Sequence, residues 1–204
     1  MSRRPRHGAG QVRIIGGRWR GTRLAFPDVA GLRPSADRVR ETLFNWLQPV
    51  LSGARVLDLF AGSGALGLES LSRGAREAVL VERDPAVAEA LRAAVERLRA
   101  ANEAMVVRAD AISFLQAPLL GRFEVVFVDP PFDARLWPQV LASLSPWLAD
   151  DAWLYLESPV AEHIAPDGGW TLHREGRTRE ARHALYRRTA GAAATLAADS
   201  SRAG

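Results

Sequence analysis

Two hydrophobic rhythms divide the chain. Between residues 54 and 157, short apolar runs alternate with stretches whose apolar residues recur every three or four positions. ARVLDLF (54–60), EAVLVE (77–82), AMVVRAD (104–110), FEVVFVD (123–129) and AWLYLE (152–157) predict five strands. A glycine turn after the first leads into a helix that runs through Ser72 and ends at Gly74. Asp84 caps and Pro85 starts the next helix, with Val87, Leu91, Ala94, Val95 and Leu98 on its buried face. A third helix is predicted around 135–148. Strands alternating with helices predict a parallel, doubly wound α/β sheet whose ligands sit at the carboxyl ends of the strands.

The flanks are patterned differently. VRIIGGRWRGTRLAF (12–26) has two short β-prone runs around Gly16, Gly17 and Gly21, which predict a small hairpin. Val39, Leu43, Trp46 and Leu47 form one apolar stripe, predicting a helix that Pro49 stops. WTLHRE (170–175) and ARHALYRR (181–188) predict a closing hairpin. Residues 1–11 read as an unordered basic arm and 189–204 as a low-complexity, unordered tail. The expected organisation is therefore an N-terminal extension over 12–50 and a main domain over 51–188.

Composition narrows the function. The chain contains no cysteine, which excludes disulfides and thiolate metal sites, and its four histidines are scattered without ligand spacing. No metal is expected. No apolar run approaches the roughly 20 residues of a membrane span, and no secretory signal opens the chain, so a soluble cytoplasmic protein is expected. All 27 basic residues are arginine, and ten of them fall in residues 1–40 against only Asp28 and Asp37. The remainder is mildly acidic. A basic arm on an acidic body points to a polyanion partner, because arginines gain by releasing phosphate counterions.

Candidate chemistry gathers at the predicted strand ends. Gly62, Gly64 and Gly67 match GxGxxG between a strand and a helix, with Glu82 following, a pattern shared with dinucleotide sites. Asp58 argues against a dinucleotide, since a carboxylate before the loop raises the cost of holding two phosphates at the helix N-terminus. It favours a cationic ligand, and S-adenosylmethionine carries a sulfonium and an ammonium but no phosphate. Glu82 is placed to accept from ribose hydroxyls, Asp110 from an adenine amino group, and Ala111 to offer its N–H to the ring. At the fourth strand end, Asp129 and the Pro130 carbonyl can accept hydrogens from an exocyclic amine. That orients a nitrogen whose lone pair is otherwise delocalised. Pro130 and Pro131 stiffen the loop, and Phe132 offers a stacking face for an unstacked base.

DLFAGSGALGLESLSRGA, VERD, ADA and DPPF resemble the class I methyltransferases that modify exocyclic amines. RIIGGRWRGTRLAFP followed by GLRPSADRVRETLFNWL resembles the N-terminal signature of the RsmD family, the 16S ribosomal RNA guanine-N2 methyltransferases. The resemblance covers residues 12–188. It implies a Rossmann-like fold with a doubly wound, mostly parallel seven-stranded sheet. It also implies methyl transfer from S-adenosylmethionine to N2 of one guanine in 16S rRNA, in an assembled or assembling 30S subunit, by a monomer. On that reading Asp58, Gly62 and Gly64 hold the methionine end of the cofactor, Glu82 its ribose, and Asp110 and Ala111 its adenine, with Phe60 and Arg83 also in the cofactor site. Asp129, Pro130, Pro131 and Phe132 form the catalytic set. Arg18, Trp19, Arg20, Arg33, Arg38 and Arg40 are candidates for RNA contact, although Arg38 and Arg40 have Asp37 and Glu41 as alternative partners on their own helix. The rival readings are an adenine-N6 type DNA or RNA methyltransferase, an NAD-linked oxidoreductase, and a non-catalytic RNA-binding module.

Overall fold

The structure, a computed structural model, describes residues 10–27, 29 and 36–189. Arg33 and the outer parts of the expected arm and tail lie outside those residues. The chain divides after Ala111 into two compact units.

In the first unit, β1 (Gly10–Arg13) pairs antiparallel with β2 (Arg23–Phe26), with Val12 opposite Leu24. The pairing begins at Gly10, inside the segment expected to be unordered. Between the strands, a 3-10 turn at Gly17–Trp19 needs Gly17 at φ 75°, and a Cβ there would lie 1.9 Å from the Ser72 carbonyl oxygen. The helix α1 (Asp37–Leu51) buries Val39, Leu43, Phe44 and Leu47. Trp46, expected on this face, is only half-buried, and Phe44 takes its place. Pro49 does not stop the helix. It removes one hydrogen bond to the preceding turn, but the final residue, Leu51, is 1% exposed and its burial holds the last turn in place.

Then come β3 (Arg55–Asp58), α2 (Ala65–Ser72), β4 (Glu77–Glu82), α3 (Pro85–Arg97) and β5 (Ala104–Arg108). β3 and β4 are parallel, as are β4 and β5. Asp84 caps α3 as expected, accepting from the Ala86 and Val87 N–H groups at 2.8 and 3.0 Å. Every residue of α2 is buried, including Glu69 at 0% exposure. A buried carboxylate must be compensated, and four donors do so. Arg40 Nη1 donates to Glu69 Oε2 at 3.0 Å, Arg73 donates through Nε and Nη2 to Oε1, and the Ile15 N–H reaches Oε2.

This network corrects one expectation. Arg40 is 1% exposed and also donates to Asp37 and to the Arg13 carbonyl, so it is an internal ion-pair residue and leaves the set of candidate RNA contacts. The expected pairing with Asp37 is found, and Glu69 is the partner that sequence spacing did not suggest. Removing one member of a buried pair leaves an uncompensated charge. Arg40→Met is therefore expected to cost about 3 kcal/mol of stability, read as a lowered urea midpoint at unchanged slope.

A short helix, α4 (Ala111–Leu115), starts at the division and was not predicted. The second unit contains β6 (Phe123–Val128), α5 (Trp137–Ser143), β7 (Leu148–Pro159), β8 (Trp170–Arg177) and β9 (Ala181–Arg188). β6 and β7 are parallel, β9 runs antiparallel to β7, and β8 antiparallel to β9. Val125–Val128 are all 0% exposed, which accounts for the unbroken apolar run in β6. The helix expected over 135–148 is shorter. Pro146 has no N–H to continue it, so Ser145–Trp147 forms a separate 3-10 turn and Leu148 already belongs to β7. Thr189, the first residue of the expected tail, still donates to the Gly169 carbonyl at 2.8 Å. No helix among the described residues is long and apolar enough to cross a membrane.

Candidate active site

In the first unit, the loop between β3 and α2 is held open by its glycines. Gly62 and Gly64 adopt φ of 49° and 76°, the left-handed region that favours glycine. A Cβ on Gly67 would lie 2.0 Å from Leu80 Cδ2, so the third glycine lets α2 pack directly on β4. The loop is then tied down by two carboxylates at strand ends. Asp58 Oδ2 accepts from the Gly67 N–H at 3.1 Å. Glu82 Oε2 accepts from the Gly62 N–H at 3.0 Å, and its Oε1 accepts from the Asp84 N–H at 2.7 Å. Glu82 thus braces the glycine loop against the turn that starts α3. Each of its oxygens keeps a second lone pair and the side chain is half-exposed.

Asp58 is 2% exposed. Burial pushes its pKa up to about 7. The Gly67 and Phe60 N–H groups oppose that rise and the Glu82 charge adds to it. A carboxylate in this state gains by meeting a cation and loses by meeting a further anion. Phe60 is half-exposed and Arg83 exposed. Asp110 is exposed and immediately precedes α4. Ala111 is the first residue of α4, so its N–H has no acceptor within the helix by position. Asp58, Glu82 and the glycine loop are thus brought together by hydrogen bonds. Asp110 follows β5, the parallel neighbour of the strand that ends on Glu82.

In the second unit, β6 ends directly into Asp129-Pro130-Pro131-Phe132. Asp129 is half-exposed and Pro130 buried, and Phe132 opens a 3-10 turn. The Phe132 ring is half-exposed and tilted against Trp137 at 6.0 Å between centroids. Trp137 is 1% exposed and donates from Nε1 to the Glu157 carbonyl at 2.8 Å. The aromatic ring beside the prolines is therefore anchored through Trp137 to the end of β7.

Two further residues belong to this cluster. The buried Tyr155 hydroxyl donates to Glu157 Oε2 at 2.9 Å. Its pKa lies well above the usual phenol value, through burial first and then the Glu157 and Asp129 charges. Phe127 is opposite Tyr155, and Val128 opposite Leu156, in the β6–β7 register, so Asp129 and Glu157 occupy adjacent strand ends. The signal for Glu157 was in the sequence. AWLYLE, like EAVLVE, AMVVRAD and FEVVFVD, ends on an acid, and only this one has no role in the sequence reading.

Of the arginine-arm candidates, Arg18 stacks over the Trp19 ring at 4.1 Å and pairs with Glu103. The Trp19 N–H donates to Ser72 Oγ at 2.9 Å. Arg20 and Arg38 are exposed. This segment is thus seated on the far end of α2, the helix that the glycine loop begins.

A profile of the family described as conserved hypothetical protein 95 matches residues 12–187. The ribosomal RNA small subunit methyltransferase D of Escherichia coli (strain K12) is 50% identical over 192 residues, covering 92% of this chain and 96% of that protein. The protein of the same name from Haemophilus influenzae is 41% identical over 181 residues, covering 87% of this chain and 94% of its own length. Among solved structures, a putative methyltransferase, yhhF, from Escherichia coli superposes with a TM-score of 0.81 at 50% identity, covering 89% of this chain and 99% of that one.

Proposed function

From its membership of the conserved hypothetical protein 95 family, the RsmD methyltransferases, to which this chain belongs, we propose that it methylates the exocyclic N2 of one guanine in 16S rRNA, on an assembled or assembling 30S subunit. The chain is an rRNA methyltransferase, and it carries the class I S-adenosylmethionine-dependent fold with a mostly parallel seven-stranded sheet. The finer reading rests above all on one observation, the half-exposed carboxylate of Asp129 at the tip of β6 beside the anchored ring of Phe132.

The residues of the first unit fit S-adenosylmethionine better than a dinucleotide. A pyrophosphate would meet the buried Asp58 carboxylate and force its pKa higher still, whereas an ammonium offsets the burial cost. Asp58, Gly62 and Gly64 are assigned to the methionine end, Glu82 to the ribose, and Asp110 and the Ala111 N–H to the adenine, with Phe60 and Arg83 also in the cofactor site. Bound there, S-adenosylmethionine supplies an electrophilic methyl group on a sulfonium. Asp129 and the Pro130 carbonyl would accept hydrogen bonds from the two N–H groups of the guanine amine, of which the methylated nitrogen keeps one hydrogen and releases the other as a proton. These hydrogen bonds hold the nitrogen lone pair out of conjugation and stabilise the positive charge that grows on the nitrogen. Pro131 has no N–H and keeps the loop stiff, Phe132 stacks on the base, and Trp137 fixes that ring. Arg18, Trp19, Arg20, Arg33 and Arg38 are assigned to RNA contact. The enzyme acts in the cytoplasm, as a monomer and without a metal.

The test is nucleoside mass spectrometry of 16S rRNA from a strain lacking this gene. N2-methylguanosine is expected to fall by one residue per 16S molecule and to return with the wild-type gene. An unchanged N2-methylguanosine content sinks the assignment of the base.

A further inference from the structure

A hollow of roughly 640 Å³ lies over the start of β7 and the neighbouring parts of β8 and β9, lined by Asp151, Thr171, His173, Arg174, Arg187 and Arg188 among others. Trp153 faces Arg187 across β7–β9, and Arg187 faces Thr171 across β9–β8. The Arg187 guanidinium sits 5.6 Å from the centre of the Trp153 ring, and His173 meets the same ring edge-on at 4.9 Å. Arg174 donates to the His173 carbonyl at 2.9 Å. Arg188 is partly engaged with the Leu148 and Ala149 carbonyls. Arg174 and Arg187 are exposed, and among the described residues neither has a carboxylate partner. Asp151 is the single acid of the lining.

The chemistry is one-sided. Three arginines and a histidine line the hollow against one aspartate, the Trp153 indole lies beside them against Arg187 and His173, and no residue of the edge strand β8 is buried. The His173 pKa is lowered, by burial first and then by the Arg174 and Arg187 charges beside it. Guanidinium groups over an aromatic face suit phosphates and stacked bases without reading sequence. Trp153 and Glu157 lie on the same face of β7, four residues apart, a span of about 13 Å at 3.3 Å per residue. An RNA strand seated in the hollow thus lies within a few nucleotides of the Asp129–Glu157 end.

We propose that this groove, built on Trp153, His173, Arg174 and Arg187, binds the sugar–phosphate backbone of the rRNA substrate. The proposal rests on rRNA as substrate and is independent of which base is methylated.

The test is binding of naked 16S rRNA between about 50 and 200 mM salt by wild type, Arg174→Ala/Arg187→Ala and Thr171→Arg. The double variant is expected to bind about tenfold more weakly, with a log–log salt slope shallower by roughly 1.5, the share of two lost phosphate contacts. S-adenosylmethionine affinity should be unchanged. Thr171→Arg adds a charge to an exposed site and should tighten binding and steepen the slope, a gain that a misfolded protein cannot give. Wild-type slopes in both variants overturn the proposal. So does a loss on 30S particles without a loss on naked RNA, which would make the partner a protein. A groove effect in an enzyme found to methylate another base supports the groove and defeats only the assignment of guanine N2.

Discussion

Asp129→Ala is expected to lower kcat by about 10²- to 10³-fold, the range for deleting one preorganised transition-state contact, while leaving the affinity for S-adenosylmethionine near that of wild type. The reasoning starts from the amine. Its lone pair is spread into the guanine ring, and attack on a methyl carbon needs that pair localised on nitrogen. A carboxylate accepting one hydrogen does this best when its position is fixed beforehand, and Asp129 is fixed by the end of β6 on one side and by two prolines on the other. Asp129→Asn keeps an oxygen acceptor but loses the negative charge, so its kcat should fall less than that of the alanine variant and stay below wild type. Single-turnover methylation measures the effect without interference from product release. Full turnover in either variant would remove Asp129 from the chemistry.

The second large effect concerns pH and Asp58. Its folded pKa of about 7 lies above the ordinary carboxylate value of 3.8, so the native state holds a proton that the unfolded chain has released. The stability from this group is fully present below pH 4 and is lost as pH rises through about 7. A rise of about three units corresponds to a loss on the order of 4 kcal/mol by pH 8. Asp58→Asn keeps an oxygen for the Gly67 N–H and carries no charge. Its unfolding free energy should therefore exceed that of wild type at pH 8, and the difference should vanish near pH 4. The ligand works in the opposite direction. A bound ammonium favours the ionised carboxylate, so wild-type affinity for S-adenosylmethionine should strengthen up to about tenfold per unit as pH rises towards 7. The asparagine variant should bind more weakly and without that dependence. Calorimetric titrations and denaturation curves at matched pH values provide both readouts. Parallel pH profiles for the two proteins would contradict this account of Asp58.

Much of the fold was legible because single residues decide it. Gly62 and Gly64 need positive φ, Asp84 and Pro85 start a helix by capping chemistry, and a run such as VVFV has no solvent-facing side to hide. What failed depended on contacts distant in sequence. Pro49 reads as a helix end, yet the burial of Leu51 overrides it. Arg40 reads as a surface charge, and only the fold brings Glu69, 29 residues away, against it. α4 is five residues long, too short for a periodic signal. At the site, the acids at the first four strand ends were found by position. Glu157 was missed although it obeys the same rule, because the acids of the first four strand ends already supplied partners for the cofactor and the amine. Glu82 was read only as a ligand acceptor, and its bracing of the Gly62 and Asp84 N–H groups is visible only in three dimensions.

The most direct test of the central claim is transfer of labelled methyl from S-adenosylmethionine by the purified enzyme to 30S particles lacking the modification, followed by digestion and chromatography of the nucleosides. The label should appear in N2-methylguanosine, at one equivalent per particle, and should be absent when Asp129 is alanine. Label in N6-methyladenosine, in any other nucleoside, or in N2-methylguanosine made equally well by the Asp129 variant would contradict the account.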